Sequence, residues 1–277
     1  MKKIIVPVDF SEHSEYALET AAQLAKKNNA EIFVLHMLEI SEAILNTSNS
    51  EQHAKAAFLF KLAEKRFEEF LNKDFLKGIS VTPIVKHFKV FSEVNEVAKE
   101  HDVDLVIMGS QGVTGIKEIF VGSNTEKVVR YSDIPVLVVK QNPILTDIES
   151  AVFASDFSLE TTESFVKARD LFNSLGIKMH LLHVNLPGNQ FLSSVEMEQR
   201  IANFFKQIDG DLSDVNDVHH MADYTVEKGV LNFSNKMGAD LIAIPTHGRK
   251  GLAHFFEGSI SEDIANHSAL PVMTFKI

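Results

Sequence analysis

The glycines between Asp104 and Thr125 carry the clearest signal for chemistry in this chain. Gly109 and Gly112 follow the apolar run Leu105–Met108, and further on Gly122 directly precedes Ser123. A glycine lets the backbone approach a ligand closely, and a helix N-terminus offers unpaired N–H groups and the positive end of a dipole. The spacing therefore predicts a strand, a glycine loop and a helix start that together could hold a phosphate group.

Composition limits the classes of function. The chain has 277 residues and a formal net charge of −11, which argues against nucleic acid as a partner because phosphate-backbone binding needs a basic surface. It has no cysteine, which excludes disulfides, thiol catalysis and cysteine-ligated metal. The apolar run near the N-terminus is short and is interrupted by Pro7 and Asp9, so we expect neither a signal peptide nor a membrane span. We therefore expect a cytoplasmic protein.

Apolar runs alternate with helical patterns along the first half of the chain. We predict strands over Lys3–Val8, Glu31–Leu38, Val81–Val90, Leu105–Met108 and Ile134–Lys140, and helices after Ser11, over Glu51–Leu71 with Gly78 as the stop signal, over Val94–Glu100 and from Ser123 to about Tyr131. Strands that alternate with helices predict an α/β fold in which a parallel sheet is covered by helices on both faces.

The pattern then occurs a second time. The segment 6–11 matches 153–158 with an offset of 147, whereas Gly112, Gly122 and Pro135 match Gly248, Gly258 and Pro271 with an offset of 136. The second copy has therefore lost 11 residues (147 − 136) between its second and fourth strands. We predict two similar domains, residues 1–142 and 147–277, joined by a linker near Asn142 and Pro143.

With both copies considered, the sequence resembles the universal stress protein family in its tandem form. The resemblance rests on Asp9 after the first strand, on His36 near the end of the second, and on Gly109-x2-Gly112-x9-Gly122-Ser123, which is similar to the ATP-binding pattern of that family. It implies a five-stranded parallel α/β domain in each half, of the adenine-nucleotide alpha-hydrolase-like kind. It also implies ATP or ADP at the carboxyl ends of the strands, and pairing of the two domains through their last strands.

The resemblance also implies a role for individual residues. The base and ribose would be lined by Pro7, Val8 and Asp9, and the adenine would be contacted by the backbone of Met37. The loop beside the ribose and phosphates would be formed by Met108, Gly109, Gln111 and Gly112. The phosphate oxygens would be held by Gly122, Ser123, Asn124 and Thr125. Gln111 departs from the histidine that the family often has at this place. As a hard oxygen ligand, Asp9 could also help to hold Mg²⁺ beside the phosphates.

Each of these signals also has a purely structural interpretation. Glycines such as Gly109 are common in turns, and Ser123 with Glu126 forms a capping box that needs no ligand. Asp9 could serve only as an acceptor at a helix start, and His36 and His183 are expected to pack against the sheet. The pair His219-His220 lies on a predicted strand with its side chains on opposite faces, which argues against a metal site made from these two histidines.

The two copies differ at positions that would matter for binding. Pro245 stands where the first copy has Gly109, and it adds a ring and removes a backbone donor. Glu257 stands where the first copy has Val121, and it places a carboxylate beside the predicted helix start, an effect that Arg249 and Lys250 could partly offset. We therefore expect the first half to bind nucleotide well and the second weakly or not at all.

The sequence leaves three hypotheses for function. No Walker, GxSxG or HExxH pattern accompanies the glycine loop, so we expect a nucleotide-binding regulatory protein with little or no hydrolysis. The alternatives are a slow ATPase and a nucleotide-independent scaffold. The apolar last strands of the two halves predict an internal pseudo-dimer, and a homodimer is a further possibility.

Overall fold

A computed structural model describes most of the chain. The described residues are 1–38, 50–87, 90–110, 123–140, 142–144, 147–208, 213–246, 264 and 268–277. They fall into two compact units, one made mainly of residues before position 145 and the other mainly of residues after it. Each unit is built on its own parallel sheet.

The sheet of the first unit has five strands in the order β3-β2-β1-β4-β5, and every paired neighbour is parallel. The strands are β1 (Lys3–Val8), β2 (Glu31–Leu38), β3 (Val81–His87), β4 (Leu105–Gly109) and β5 (Val136–Val139). In β1, five consecutive residues are buried. Because neighbouring side chains in a strand point to opposite faces, this run shows that both faces of the sheet are covered.

Four described helices accompany this sheet. They are α1 (Glu12–Asn28), α2 (Ser50–Leu71), α3 (Val90–Glu100) and α4 (Ser123–Tyr131). The start of α1 is capped by Ser11, whose hydroxyl accepts a hydrogen bond from the N–H of Ser14 at 3.3 Å. Its end is marked by Asn29 in the left-handed conformation. Serine before a helix and asparagine after it are the residues expected at these ends.

The second unit repeats the arrangement with the strand order β10-β9-β6-β7-β8, again parallel throughout. Its strands are β6 (Ser150–Ala154), β7 (Lys178–Asn185), β8 (Val218–Ala222), β9 (Leu241–Thr246) and β10 (Val272–Lys276). Its helices are α5 (Thr162–Leu175), α6 (Ser194–Ile208) and α7 (Val226–Met237). A single 3₁₀ turn, Leu159–Thr161, precedes α5.

The predicted α/β class and the two similar sheets are confirmed, and most element boundaries agree to within two residues. Two details were wrong. Val90 begins α3 and is not part of β3, which ends at His87. Gly78 is not the stop of the long helix, because α2 ends at Leu71 and a 3₁₀ turn, Asp74–Leu76, lies between them. Gly78 has a φ of 82° and instead turns the chain into β3.

Among the described helices, none combines the length and the apolar character that crossing a bilayer requires.

An aspartate ties two strands together at the start of each sheet. The Oδ2 atom of Asp104, just before β4, accepts hydrogen bonds from the N–H groups of Lys2 and Lys3, at 2.6 and 2.9 Å. Asp240, just before β9, accepts from the N–H groups of Glu149 and Ser150, both at 3.0 Å. Each carboxylate therefore satisfies backbone donors at the start of the neighbouring strand, β1 or β6, and fixes the relative position of the two strands.

Replacing this aspartate should weaken the first unit. We expect Asp104→Ala to lower the free energy of unfolding by about 1–2 kcal/mol, because two backbone donors lose a charged acceptor that is partly exposed. Asp104→Asn retains an acceptor oxygen and should cost less. Urea unfolding followed by circular dichroism measures both variants, and equal losses from the two would contradict this role for the side chain.

Candidate functional site

The carboxyl ends of β1, β2 and β4 form the edge of the first sheet at which the predicted site residues gather. Val8 pairs in register with His36 of β2, and the register of β1 with β4 starts from Ile4 opposite Leu105. Since both pairings are parallel, the ends of these strands lie side by side. Ligands of open parallel sheets bind at such edges, where the chain leaves β1 and β4 in different directions.

Several predicted site residues lie within these strands. Pro7 and Val8 are buried near the end of β1, and Met108 is buried at the end of β4, next to Val138 of β5. Met37 is half-buried and lies in register with Lys86 of β3. These residues are therefore close to the edge of the sheet, and they contribute backbone and apolar surface to it more than exposed functional groups.

Asp9 is the exposed acidic group at this edge. Its Oδ1 atom accepts a hydrogen bond from the N–H of Ser11 at 3.0 Å, which shapes the turn into α1. Partial burial raises the pKa of Asp9, but hydrogen bonds from Ser11 and Ser14 outweigh this effect and lower the pKa overall. The carboxylate is thus ionised at neutral pH. The cap of α1 itself is Ser11, so the structural interpretation of Asp9 applies to the turn and not to the helix end.

His36 is held in place by its neighbours. Its Nδ1 atom lies 2.9 Å from the carbonyl oxygen of Val8. The centroid of its ring lies 4.3 Å from the centroid of the Phe10 ring. Burial and the nearby charge of Arg66 lower the pKa of His36, although the Val8 carbonyl and Asp9 act in the opposite direction. A carbonyl oxygen can only accept, so the neutral ring carries its proton on Nδ1. The predicted packing role of His36 is consistent with these contacts.

Gly109 is required by the packing of β4 against α1. A Cβ atom at this position would overlap the carbonyl oxygen of His13 in the first turn of the helix. Only glycine lets the strand end lie this close to the helix backbone. The sequence suggested a close approach to a ligand at this position, and the structure shows a close approach to α1.

Thr125 joins the start of α4 to the same strand end. It is buried, and its hydroxyl donates a hydrogen bond to the carbonyl oxygen of Gly109 at 3.1 Å. Asn124, its neighbour, is exposed. The structure therefore brings the N-terminus of α4 next to the end of β4, as the spacing of the motif predicted, with the Thr125 hydroxyl engaged by the backbone and the Asn124 side chain facing solvent.

Other members of the motif cannot be placed. Gln111, Gly112 and Gly122 lie outside the described residues, as do Val121 and the second-copy positions Arg249, Lys250 and Glu257. The backbone of Ser123 is described as the first residue of α4, but its side chain is not. The roles of these residues stay predictions.

Lys140 is a charged residue at this edge that the sequence reasoning did not single out. It follows β5 directly and is buried, and burial lowers its pKa to about 8. It is adjacent to Val139, whose carbonyl oxygen accepts from the N–H of Ser110 beyond the end of β4. A lysine directly after a buried strand was the available signal, because the residue after a parallel strand lies at the carboxyl edge.

The described residues contain no group of three or more metal-ligating side chains of the histidine, cysteine or carboxylate type arranged around a common point.

Matched residues at the corresponding edge of the second sheet are more deeply buried. Asp156 repeats the contact of Asp9, since its Oδ1 accepts from the N–H of Ser158 at 3.0 Å. Phe157 is fully buried, whereas Phe10, its counterpart, is half-buried. The Phe157 ring packs edge-on against that of Phe204 on α6 at 5.2 Å, as the Phe10 ring packs against that of Phe67 on α2 at the same distance. The two halves therefore share this contact and differ in how deeply the phenylalanine is buried.

Comparison with known proteins agrees with the repeat. A sequence model described as the Universal stress protein family matches residues 1–140 and again residues 148–276. Universal stress protein MJ0577 of Methanocaldococcus jannaschii is 34% identical over 155 residues, which cover 50% of this chain and 95% of that protein. Universal stress protein YxiE of Bacillus subtilis is 32% identical over 147 residues, which cover 50% of this chain and 98% of that protein.

A similarity over the whole chain comes from a crystal structure. A universal stress protein from Archaeoglobus fulgidus matches with a TM-score of 0.66 at 21% identity, over 99% of this chain and 98% of that one. At this level of identity the match shows a common fold. The two curated relatives, in contrast, correspond over nearly their full lengths to one half of this chain.

The contact between Gly109 and His13 can be tested without a ligand. We expect Gly109→Ala to lower the free energy of unfolding of the ligand-free protein by about 1–3 kcal/mol, because the added methyl group forces α1 away from β4. Thermal unfolding in the absence of nucleotide measures this loss. Pro245→Ala, at the matching position of the second half, is the control and should change stability less. Unchanged stability of Gly109→Ala would mean that α1 does not require glycine there.

Proposed function

Because this chain belongs to the universal stress protein family, we propose that it is an ATP-binding regulatory protein of the stress response. The first half binds the adenine nucleotide at the carboxyl edge of its sheet, with little or no hydrolysis. The observation that carries this proposal is the placement of the N-terminus of α4 beside the end of β4, with Thr125 hydrogen-bonded to Gly109. A helix start next to a strand end, with a glycine-containing loop between them, is an arrangement that suits phosphate.

In this proposal, different residues at the carboxyl edge of the first sheet contact different parts of the nucleotide. Pro7, Val8 and the carboxylate of Asp9 face the base and ribose, and the backbone of Met37 contacts the adenine. The loop from Met108 through Gly112 follows the ribose and phosphates, and the start of α4 from Gly122 to Thr125 holds phosphate oxygens. Asp9 suits this role because it is exposed and ionised, so that it can accept from a ribose hydroxyl or share a Mg²⁺ ion.

The second half is the weaker binder in this proposal. Phe157 is fully buried against α6, and His183 is 4% exposed, so less open surface is left at the ends of β6 and β7. Pro245 in place of Gly109 also removes a backbone N–H at the end of β9. These differences support one main nucleotide site in each chain.

A nucleotide-independent scaffold is the second candidate, and one observation favours it. The glycine at position 109 is explained by the packing of α1 alone, so its presence does not require a ligand. Direct binding measurements therefore have to decide between the two functions.

Nucleotide binding should depend on one of two matched glycines. We expect calorimetric titration with ATP and Mg²⁺ to give about one site per chain, and Gly112→Ala to weaken binding at least about tenfold, or roughly 1.4 kcal/mol. Gly248→Ala, the matching change in the second half, should leave the affinity unchanged.

Two other results of this titration would be decisive. Two equal sites per chain, one of which survives Gly112→Ala, would contradict the asymmetry between the halves. No binding of any adenine nucleotide by the unmodified protein would favour the scaffold.

Hydrolysis distinguishes a regulator from an enzyme. We expect no steady multiple turnover of ATP, since the glycine loop lacks the Walker-type lysine that would neutralise a developing phosphoryl charge. Phosphate release under excess ATP measures this directly. Steady turnover that is lost in Asp9→Ala and retained in Asp156→Ala, its counterpart in the second half, would instead establish a slow ATPase.

A further inference from the structure

The second half contains two cross-strand pairs of histidines. On one face of the sheet, His183 of β7 lies in register with His220 of β8, and the ring centroids are 5.7 Å apart. Elsewhere on the same two strands, His219 lies 6.2 Å from His180 and 5.0 Å from Phe233 of α7. Because side chains alternate between faces, the neighbours His219 and His220 belong to different pairs, as the sequence predicted.

The first half lacks this pairing. His36 matches His183, but its register partner on β3 is Val85. The Nδ1 atom of His36 is 2.9 Å from the Val8 carbonyl, whereas the Nδ1 atom of His183 is buried and has no hydrogen-bond partner. His183 also lies farther from its phenylalanine, since its ring centroid is 6.4 Å from that of Phe157. The first half therefore has a histidine with a hydrogen-bonded Nδ1 atom. The second half has, at the matching position, a histidine whose Nδ1 atom lacks a hydrogen-bond partner and whose ring faces a second imidazole.

The surroundings of His183 disfavour a proton. Burial, His220 and the positive charge of Arg200 on α6 lower the pKa of His183 to about 4, although Asp156 acts in the opposite direction. The pKa of His220 is also lowered, by burial and by His219, against the effect of Glu198 on α6. A proton on His183 would therefore sit in a largely buried position beside another imidazole and a guanidinium, with no acceptor bonded to its Nδ1.

β8 is the element that can respond to such a charge. It has five residues and, in the part of the chain that the structure describes, pairs only with β7. His219 and His220 on it are exposed. A short outer strand separates from a sheet at lower cost than a central one, and separation of β8 would expose the imidazole of His183 to water.

We propose that the pair His183 and His220 makes the outer strand of the second half acid-sensitive, so that protonation releases β8 from β7. The direction follows from linkage. The pKa of His183 is lowered from its ordinary 6.5 to about 4 in the closed form, so the open form binds the proton more tightly. The pairing of β8 with β7 therefore has its full stability above about pH 6.5. It loses stability as the pH falls from there to about 4. The first half should respond less, because His36 is hydrogen-bonded to the Val8 carbonyl and faces Val85 in place of a second imidazole.

Hydrogen–deuterium exchange of the full chain tests the proposal. Between about pH 7.5 and about pH 5.5, the opening equilibrium of β8 should rise about tenfold, after correction for the pH dependence of intrinsic exchange. The internal control is β3, the outer strand of the first sheet, which should change less than β8, because the neighbouring His36 keeps its hydrogen bond to Val8 and faces no second imidazole. An equal response of β3 and β8, or no response of β8, would overturn the proposal.

Matched variants assign the effect to the pair. His183→Gln and His220→Val, the second of which introduces the residue of the first half, should each reduce the acid response of β8 by at least half. His219→Val, on the adjacent position of the same strand, should retain most of it. A response that is lost in His219→Val and retained in the other two would contradict the assignment.

A direct titration keeps the proposal testable if His183→Gln does not fold. Histidine ring signals in the nuclear magnetic resonance spectrum of the unmodified protein should show that the imidazole of His183 stays neutral well below pH 6.5, the ordinary pKa of a histidine. An ordinary titration of His183 in the folded protein would overturn the proposal.

Discussion

β1 lies between β2 and β4, and it is parallel to both. This placement depends on backbone hydrogen bonds along the strands. At the amino-terminal ends of the strands it also depends on the carboxylate of Asp104, which accepts hydrogen bonds from the N–H groups of Lys2 and Lys3. Because all three strands run the same way, their carboxyl ends meet at one edge. Asp9, His36 and Gly109, which are distant in sequence, are brought together there by this register alone, and the candidate site depends on it.

The close contact between β4 and α1 is the second constraint at this edge. Gly109 has no side chain where the His13 carbonyl lies, and Thr125 donates its hydroxyl hydrogen to the Gly109 carbonyl. The strand end is thus held from both sides, by the first turn of α1 and by the first turn of α4. The end of β4 is therefore a fixed point of the fold, which is what the proposed phosphate site would require of its backbone.

The two halves show how one backbone plan accommodates different local chemistry. The turn after the first strand is the same in both, with Asp9 and Asp156 binding the N–H two residues later and Phe10 and Phe157 in the left-handed conformation. The histidines that follow are in different environments. His36 bonds to a carbonyl, whereas His183 lies unsatisfied beside His220. Phe157 and His183 are also more buried than Phe10 and His36, so the second half differs from the first in both the exposure and the partners of these residues.

The amino-acid sequence by itself determined the α/β class, the repeat, and the position of most strands and helices of the first half, because these depend on local periodicity and on glycine, serine and proline near element ends. It also placed Gly109 and the start of α4 close together, through the spacing of the motif. Only the tertiary structure decided why Gly109 must be glycine, that Thr125 bonds to it, and that His183 faces His220. The first two facts depend on which elements are neighbours in the fold. The third depends on register, since a shift of one residue would have placed His219 or Met221 opposite His183.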